Sequence, residues 1–75
     1  MSRLPAIRPR QVIRALERAG FVVHRTSSSH YVLKRPDDPV RRIIVAYHNK
    51  DLKPKTLRSI IEQAGLTKAQ FMDLL

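Results

Sequence analysis

The residues of this chain best able to do chemistry gather around His30, which follows Ser27, Ser28 and Ser29, precedes Tyr31, and has Arg25 five positions upstream. An imidazole exchanges a proton near neutral pH and so serves as general acid or base. An RNA strand carries its own nucleophile, the 2′-hydroxyl beside each phosphate. A nuclease working on it needs only proton transfer and positive charge around the reacting phosphoryl group. Arg25 and Lys34 supply the charge, and Ser28 and Ser29 supply hydroxyls. The same residues also fit a surface histidine that binds phosphate without chemistry, and spacing alone leaves both readings open.

The other histidines make a weaker case. His24 and His48 stand 6 and 18 positions from His30, with no i, i+4 helical pair and no accompanying carboxylate, so no metal site is expected. Alternation along a strand groups His24 with Val22 and sets Phe21, Val23 and Arg25 on the opposite face. His48 reads as a loop residue after the third strand. Asp37 and Asp38 are adjacent in a turn, where aspartate is favoured for local hydrogen bonding. There is no Ser-His-Asp or Cys-His set, P-loop or dinucleotide fingerprint, so acyl transfer and nucleotide hydrolysis have no support.

Charge points to a polyanion. Fifteen Lys and Arg against six Asp and Glu give a formal charge of +9, beyond the magnitude of about 2 to 8 that suits a small soluble domain. Residues 1–50 carry 11 basic and 3 acidic side chains, net +8, whereas residues 51–75 carry 4 and 3, net +1. RNA, DNA or an acidic protein are the partners such a field attracts. The absence of cysteine suits a reducing cytoplasm. No run approaches a membrane span and no apolar leader is evident, so a soluble, unprocessed cytoplasmic protein is expected.

The scaffold follows from periodicity. Seventy-five residues make one domain, with residues 1–8 as a loose N-terminal arm. Val12, Ile13, Leu16 and Ala19 fall at helical spacing between Pro9 and Gly20, which predicts a first helix over Pro9 to Ala19. Phe21 to Thr26, His30 to Arg35 and Val40 to Ala46 read as three strands, separated by the serine turn and by Pro36, Asp37, Asp38 and Pro39. In the second strand Tyr31 and Leu33 are expected to be buried, with His30, Val32 and Lys34 on the opposite face. Leu57, Ile60, Ile61 and Ala64 predict a second helix from Pro54 to Gly65. Thr67 caps a short last helix, with Gln70 completing a capping box and Leu66 stapled to Phe71. The expected fold is α+β, in the order α-β-β-β-α plus a short C-terminal helix. A three-stranded antiparallel sheet would carry both main helices on one face.

These residues, in this order, resemble the HicA-type mRNA interferases, the small toxins of HicAB toxin-antitoxin systems. That family's pattern has a first helix ending in Gly-Phe, a strand leading to Arg, a Gly-Ser-His turn and a later histidine after the third strand. A Gly-Thr-Leu helix start, Ile and Ala-Gly-Leu complete it. The counterparts are Gly20 and Phe21, Arg25, Ser29 and His30, His48, Thr56 and Leu57, Ile60, and Ala64, Gly65 and Leu66. Ser28 and Lys55 replace two glycines of the pattern, and Ala46 replaces a proline usual before the second histidine. Were φ > 0 required at residue 28, serine would strain the turn there.

The resemblance implies a double-stranded-RNA-binding-domain-like fold and the toxin of a type II toxin-antitoxin system. It also implies a metal-independent endoribonuclease that cuts mRNA through the histidine at position 30 and needs no cofactor. The chain would be monomeric when free and form a hetero-oligomer with a HicB-type antitoxin that covers the site. The alternative is a non-catalytic RNA-binding module of the same fold.

Overall fold

A computed structural model describes residues 6–75, the side chain of Pro39 excepted. Both main helices begin at a proline and stop at a glycine. In α1 (Pro9–Arg18) Pro9 takes the first position, where no N–H is needed, and the Arg8 amide donates to Gln11 Oε1 at 3.0 Å. At its end Gly20 adopts φ +99°, its amide donates to the Glu17 carbonyl, and the Phe21 amide donates to the Leu16 carbonyl. This is the Schellman arrangement, and Leu16 and Phe21 both enter the core beside it. The end of α2 (Pro54–Gln63) repeats it. Gly65 at φ +72° donates to the Glu62 carbonyl, and Leu66 donates to that of Ile61.

Both glycines sit where an L-residue costs about 1–2 kcal/mol. Gly20→Ala should therefore lower stability by that amount, read from urea unfolding of the variant beside the parent chain. A Cβ at Gly20 meets nothing within 4 Å, but one at Gly65 lies 3.0 Å from Arg41 Nη1. That guanidinium donates to the Gln63 carbonyl at 2.8 Å, so Gly65→Ala should cost more than Gly20→Ala.

Between the helices run β1 (Val22–Thr26), β2 (His30–Arg35) and β3 (Asp38–Ala46), an antiparallel sheet in the order β1-β2-β3. Cross-strand partners share a face, so the pairs Val23–Leu33–Ile43 and Tyr31–Val45 define one face. That face meets Val12, Ile13 and Leu16 of α1 and Leu57, Ile60 and Ile61 of α2 in a single apolar core. Leu33, Ile43 and Val45 are fully buried, each contributing roughly 1.5–3 kcal/mol by leaving water. The opposite face, with Val22, Val32 and Ile44, is left open; Val22 is 53% and Ile44 51% exposed. The expected α+β, double-stranded-RNA-binding-domain-like arrangement is thus the one observed.

The short helix α3 (Lys68–Asp73) is capped as its sequence predicts. The Gln70 amide donates to Thr67 Oγ1 at 3.1 Å, and the Thr67 amide to Gln70 Oε1 at 2.9 Å. Phe71 is fully buried, Leu66 packs against the same core, and Arg18 Nη1 reaches the Leu74 carbonyl at 2.6 Å, tying α1 to α3.

Three details differ from expectation. Strand β3 begins at Asp38, not Val40, because Asp38 pairs with Arg35 across an irregularity in the register. Proline is tolerated inside it because β3 is an edge strand with a bulge. Of the expected N-terminal arm, residues 1–5 lie outside the described residues. Ile7 is buried and its carbonyl accepts the Leu52 amide at 2.8 Å, so residues 6–8 are fixed to the body. The third difference, a bulge in β1, bears on the site.

Candidate functional site

The turn before His30 is held by Ser27. Its amide donates to the His30 carbonyl at 2.8 Å, and its Oγ accepts the His30 amide at 3.1 Å. Tight hairpin turns ordinarily need residues with φ > 0. Here no non-glycine residue among those described has positive φ, so the turn is made without a left-handed residue. Ser28 in place of a glycine is therefore unstrained, and its side chain is exposed.

Ser29 lies against the imidazole, with Oγ 3.1 Å from His30 Nδ1. A hydroxyl donates or accepts, so this contact persists whether Nδ1 carries a proton or not, and it leaves Nε2 as the free end of an exposed ring. The geometry suits a ring that must change protonation state without losing its orientation.

The position of Arg25 corrects the sequence reading. Simple alternation put it on the face of Phe21 and Val23, opposite His24. In the structure Val23 pairs with Leu33 but Arg25 pairs with Val32, and the register shifts between them, leaving His24 as the extra residue of a β-bulge. The bulge turns Arg25 to the open face, where Val32 lies between His30 and Lys34 on β2. Bulges characteristically re-aim a side chain in this way. Ile44 and Arg42 follow on β3, opposite Val32 and Lys34. His24 itself is exposed at the bulge, as expected of a strand histidine.

Among the described residues Arg25, Lys34 and Arg42 form no ion pair, whereas other arginines are engaged in structure. Arg35 bonds Asp37 and lies 5.5 Å over the Phe21 ring; Arg41 bonds Asp38 and the Gln63 carbonyl. The open face thus offers a histidine and three unpaired cations around an apolar centre of Val32 and Ile44.

Sequence reasoning overlooked what lies at the same end of the sheet. The Tyr47 amide donates to the Ser29 carbonyl at 2.8 Å, bringing the end of β3 against the serine turn. The Tyr47 ring stacks on Tyr31, centroids 4.7 Å apart and planes 19° from parallel. Arg8, Arg10, Gln11, Tyr47, His48 and Asn49 surround an open depression of about 270 Å³ beside them. His48 Nδ1 accepts the Lys50 amide at 3.1 Å, so the neutral ring carries its proton on Nε2. The one available signal was an aromatic residue next to a histidine directly after a strand.

Among the described residues no three His, Cys, Asp or Glu side chains group as metal ligands, and no helix is long and apolar enough to cross a membrane. Comparison with curated proteins finds no match. The family model described as the HicA toxin of bacterial toxin-antitoxin systems matches residues 9–66, from the first residue of α1 through the serine turn and His30 to the glycine stop of α2. The match covers most of the 75 residues and every element that positions His30, and on that ground the chain belongs to the HicA toxin family.

Proposed function

We propose that this toxin is a metal-independent endoribonuclease that cuts mRNA at His30. The observation that carries the reading is the pairing of an exposed imidazole, steadied by Ser29, with Arg25 turned onto the same face by the bulge. A phosphodiester laid over this face meets a proton-transfer group and fixed positive charge together. The 2′-oxygen loses its proton and bonds to phosphorus, the bond from phosphorus to the 5′-oxygen breaks, and that oxygen takes up a proton. The products are a 2′,3′-cyclic phosphate and a 5′-hydroxyl. His30 moves one of these protons. Arg25 and Lys34 offset the charge that gathers on the phosphoryl oxygens. Ser28, exposed at the tip of the turn, and Ser29 would add hydroxyl contacts to the same RNA.

As a member of a toxin-antitoxin family the chain has an antitoxin partner. In this reading the partner is an acidic HicB-type protein that covers His30 and the basic open face, since inhibition must compete with RNA for that surface and opposite charge speeds association. One experiment tests both parts. The purified chain should cut mRNA in excess EDTA, while its co-purified complex should not cut and should protect His30 from solvent. Loss of activity in EDTA with recovery in magnesium would refute the chemistry; an active complex with His30 exposed would refute occlusion.

A further inference from the structure

The depression bounded by α1 and the loop after β3 has no part in the reaction just described, yet one of its lining residues, Tyr47, donates its amide to the carbonyl of Ser29, the residue before His30. We infer that it is a nucleotide subsite, taking the unpaired RNA nucleotide next to the phosphate at which His30 transfers a proton, so that the enzyme grips single-stranded RNA on both sides of the sheet's end. The inference rests on the reading of His30 as a ribonuclease centre and adds to it where the neighbouring nucleotide goes.

The lining matches each part of a nucleotide. Arg8 and Arg10 are exposed and positive, suited to a phosphate. Tyr47 is half-buried, stacked on Tyr31 and one of the residues lining the depression, so the proposed base would stack on a ring already held in place. Such stacking is a general means of holding single strands, because every base has a π-face.

Polar discrimination is available too. The amide of Asn49 offers both a donor and an acceptor to a base edge. Gln11 Oε1 already accepts the Arg8 amide, which leaves its NH₂ as donor, and His48, with Nδ1 engaged by Lys50, presents Nε2. A volume of about 270 Å³ is close to the lower end of the ~300–1,000 Å³ typical of small-ligand sites and suits one nucleotide, not a helical stem.

The chain has two tyrosines and no tryptophan, so tyrosine emission reports directly on the Tyr31–Tyr47 stack. The test uses the full chain carrying His30→Ala, in which cleavage should be slow enough for a binding measurement, titrated with a short single-stranded RNA while anisotropy and tyrosine emission are followed. RNA should quench the emission. Arg10→Ala combined with Asn49→Ala, both at exposed positions, should weaken binding about 10-fold and reduce the quench. Tyr47→Leu should weaken binding on the order of 10- to 100-fold, and Tyr47→Phe should restore it. With His30 intact, the Arg10/Asn49 pair should raise KM and shift the preferred cut positions while kcat at saturating RNA holds.

Unchanged affinity, quenching and cut positions in that pair, in a chain that still cuts RNA, would overturn the subsite and leave the nuclease reading standing. Weakened binding to the antitoxin with RNA affinity unaltered would overturn it equally, by assigning the depression to the protein partner. Quenching that the pair abolishes, in a chain whose parent never cuts RNA, would keep the subsite and sink the nuclease reading. No RNA binding by any form would sink both.

Discussion

Replacing His30 with alanine should lower RNA cleavage by about 10²- to 10⁴-fold, the range typical of one general acid or base, and leave the fold intact. The structural half of this expectation comes from the turn. Ser27 holds it through the backbone N–H and C=O of residue 30, and those groups survive the substitution. The imidazole is exposed and buries nothing, so the stability change should stay within about 0.5 kcal/mol. The loss should fall on kcat, with RNA affinity largely kept. Ser29→Ala should give a smaller loss, because it removes the partner of Nδ1 and frees the ring without deleting it. Thermal melting and single-turnover cleavage check these statements. His24→Ala, exposed at the bulge, is the control that should leave cleavage unchanged. A His30→Ala chain that cuts at the parent rate would move catalysis elsewhere, with His48 the next residue to replace.

The second large effect is that of salt. Arg25, Lys34 and Arg42 on the open face and Arg10 at the depression have no ion-pair partner among the described residues and lie along the path proposed for RNA. If each of these cations neutralises one phosphate, single-strand binding falls with a log–log slope of about −3, or about 50-fold between 50 and 200 mM salt. Arg25→Ala in the His30→Ala chain should weaken binding and make that slope shallower by roughly 0.7. Arg35→Ala and Arg41→Ala should behave differently. Their guanidiniums hold Asp37 and Phe21, or Asp38 and the Gln63 carbonyl, so their loss should appear in the melting temperature and hardly in the slope. A slope near zero, or one equally sensitive to Arg35 and Arg25, would show that net charge and not this face binds the RNA.

By itself the sequence determined what depends on neighbours within a few residues. The proline starts and glycine stops of α1 and α2, the Thr67–Gln70 capping box and the burial of Leu33 against the exposure of His30 all follow from local chemistry and a periodicity of 3.6 or 2. The motif order pointing to the HicA family is local in the same sense, and Ser28 at the turn position of a family glycine adopts no positive φ. Tertiary structure decided the rest. Alternation is blind to one inserted residue, and only the pairing of β1 with β2 shows that His24 is extra and that Arg25 faces the same way as His30. Pro39 lies within a strand because its edge position and bulge excuse the missing donor, a fact about the sheet and not about proline. The depression at the Tyr47 end of the sheet joins Arg8, Arg10 and Gln11 to Tyr47, His48 and Asn49, more than thirty positions later. No period links such distant residues; the core that packs α1 against the sheet brings them together.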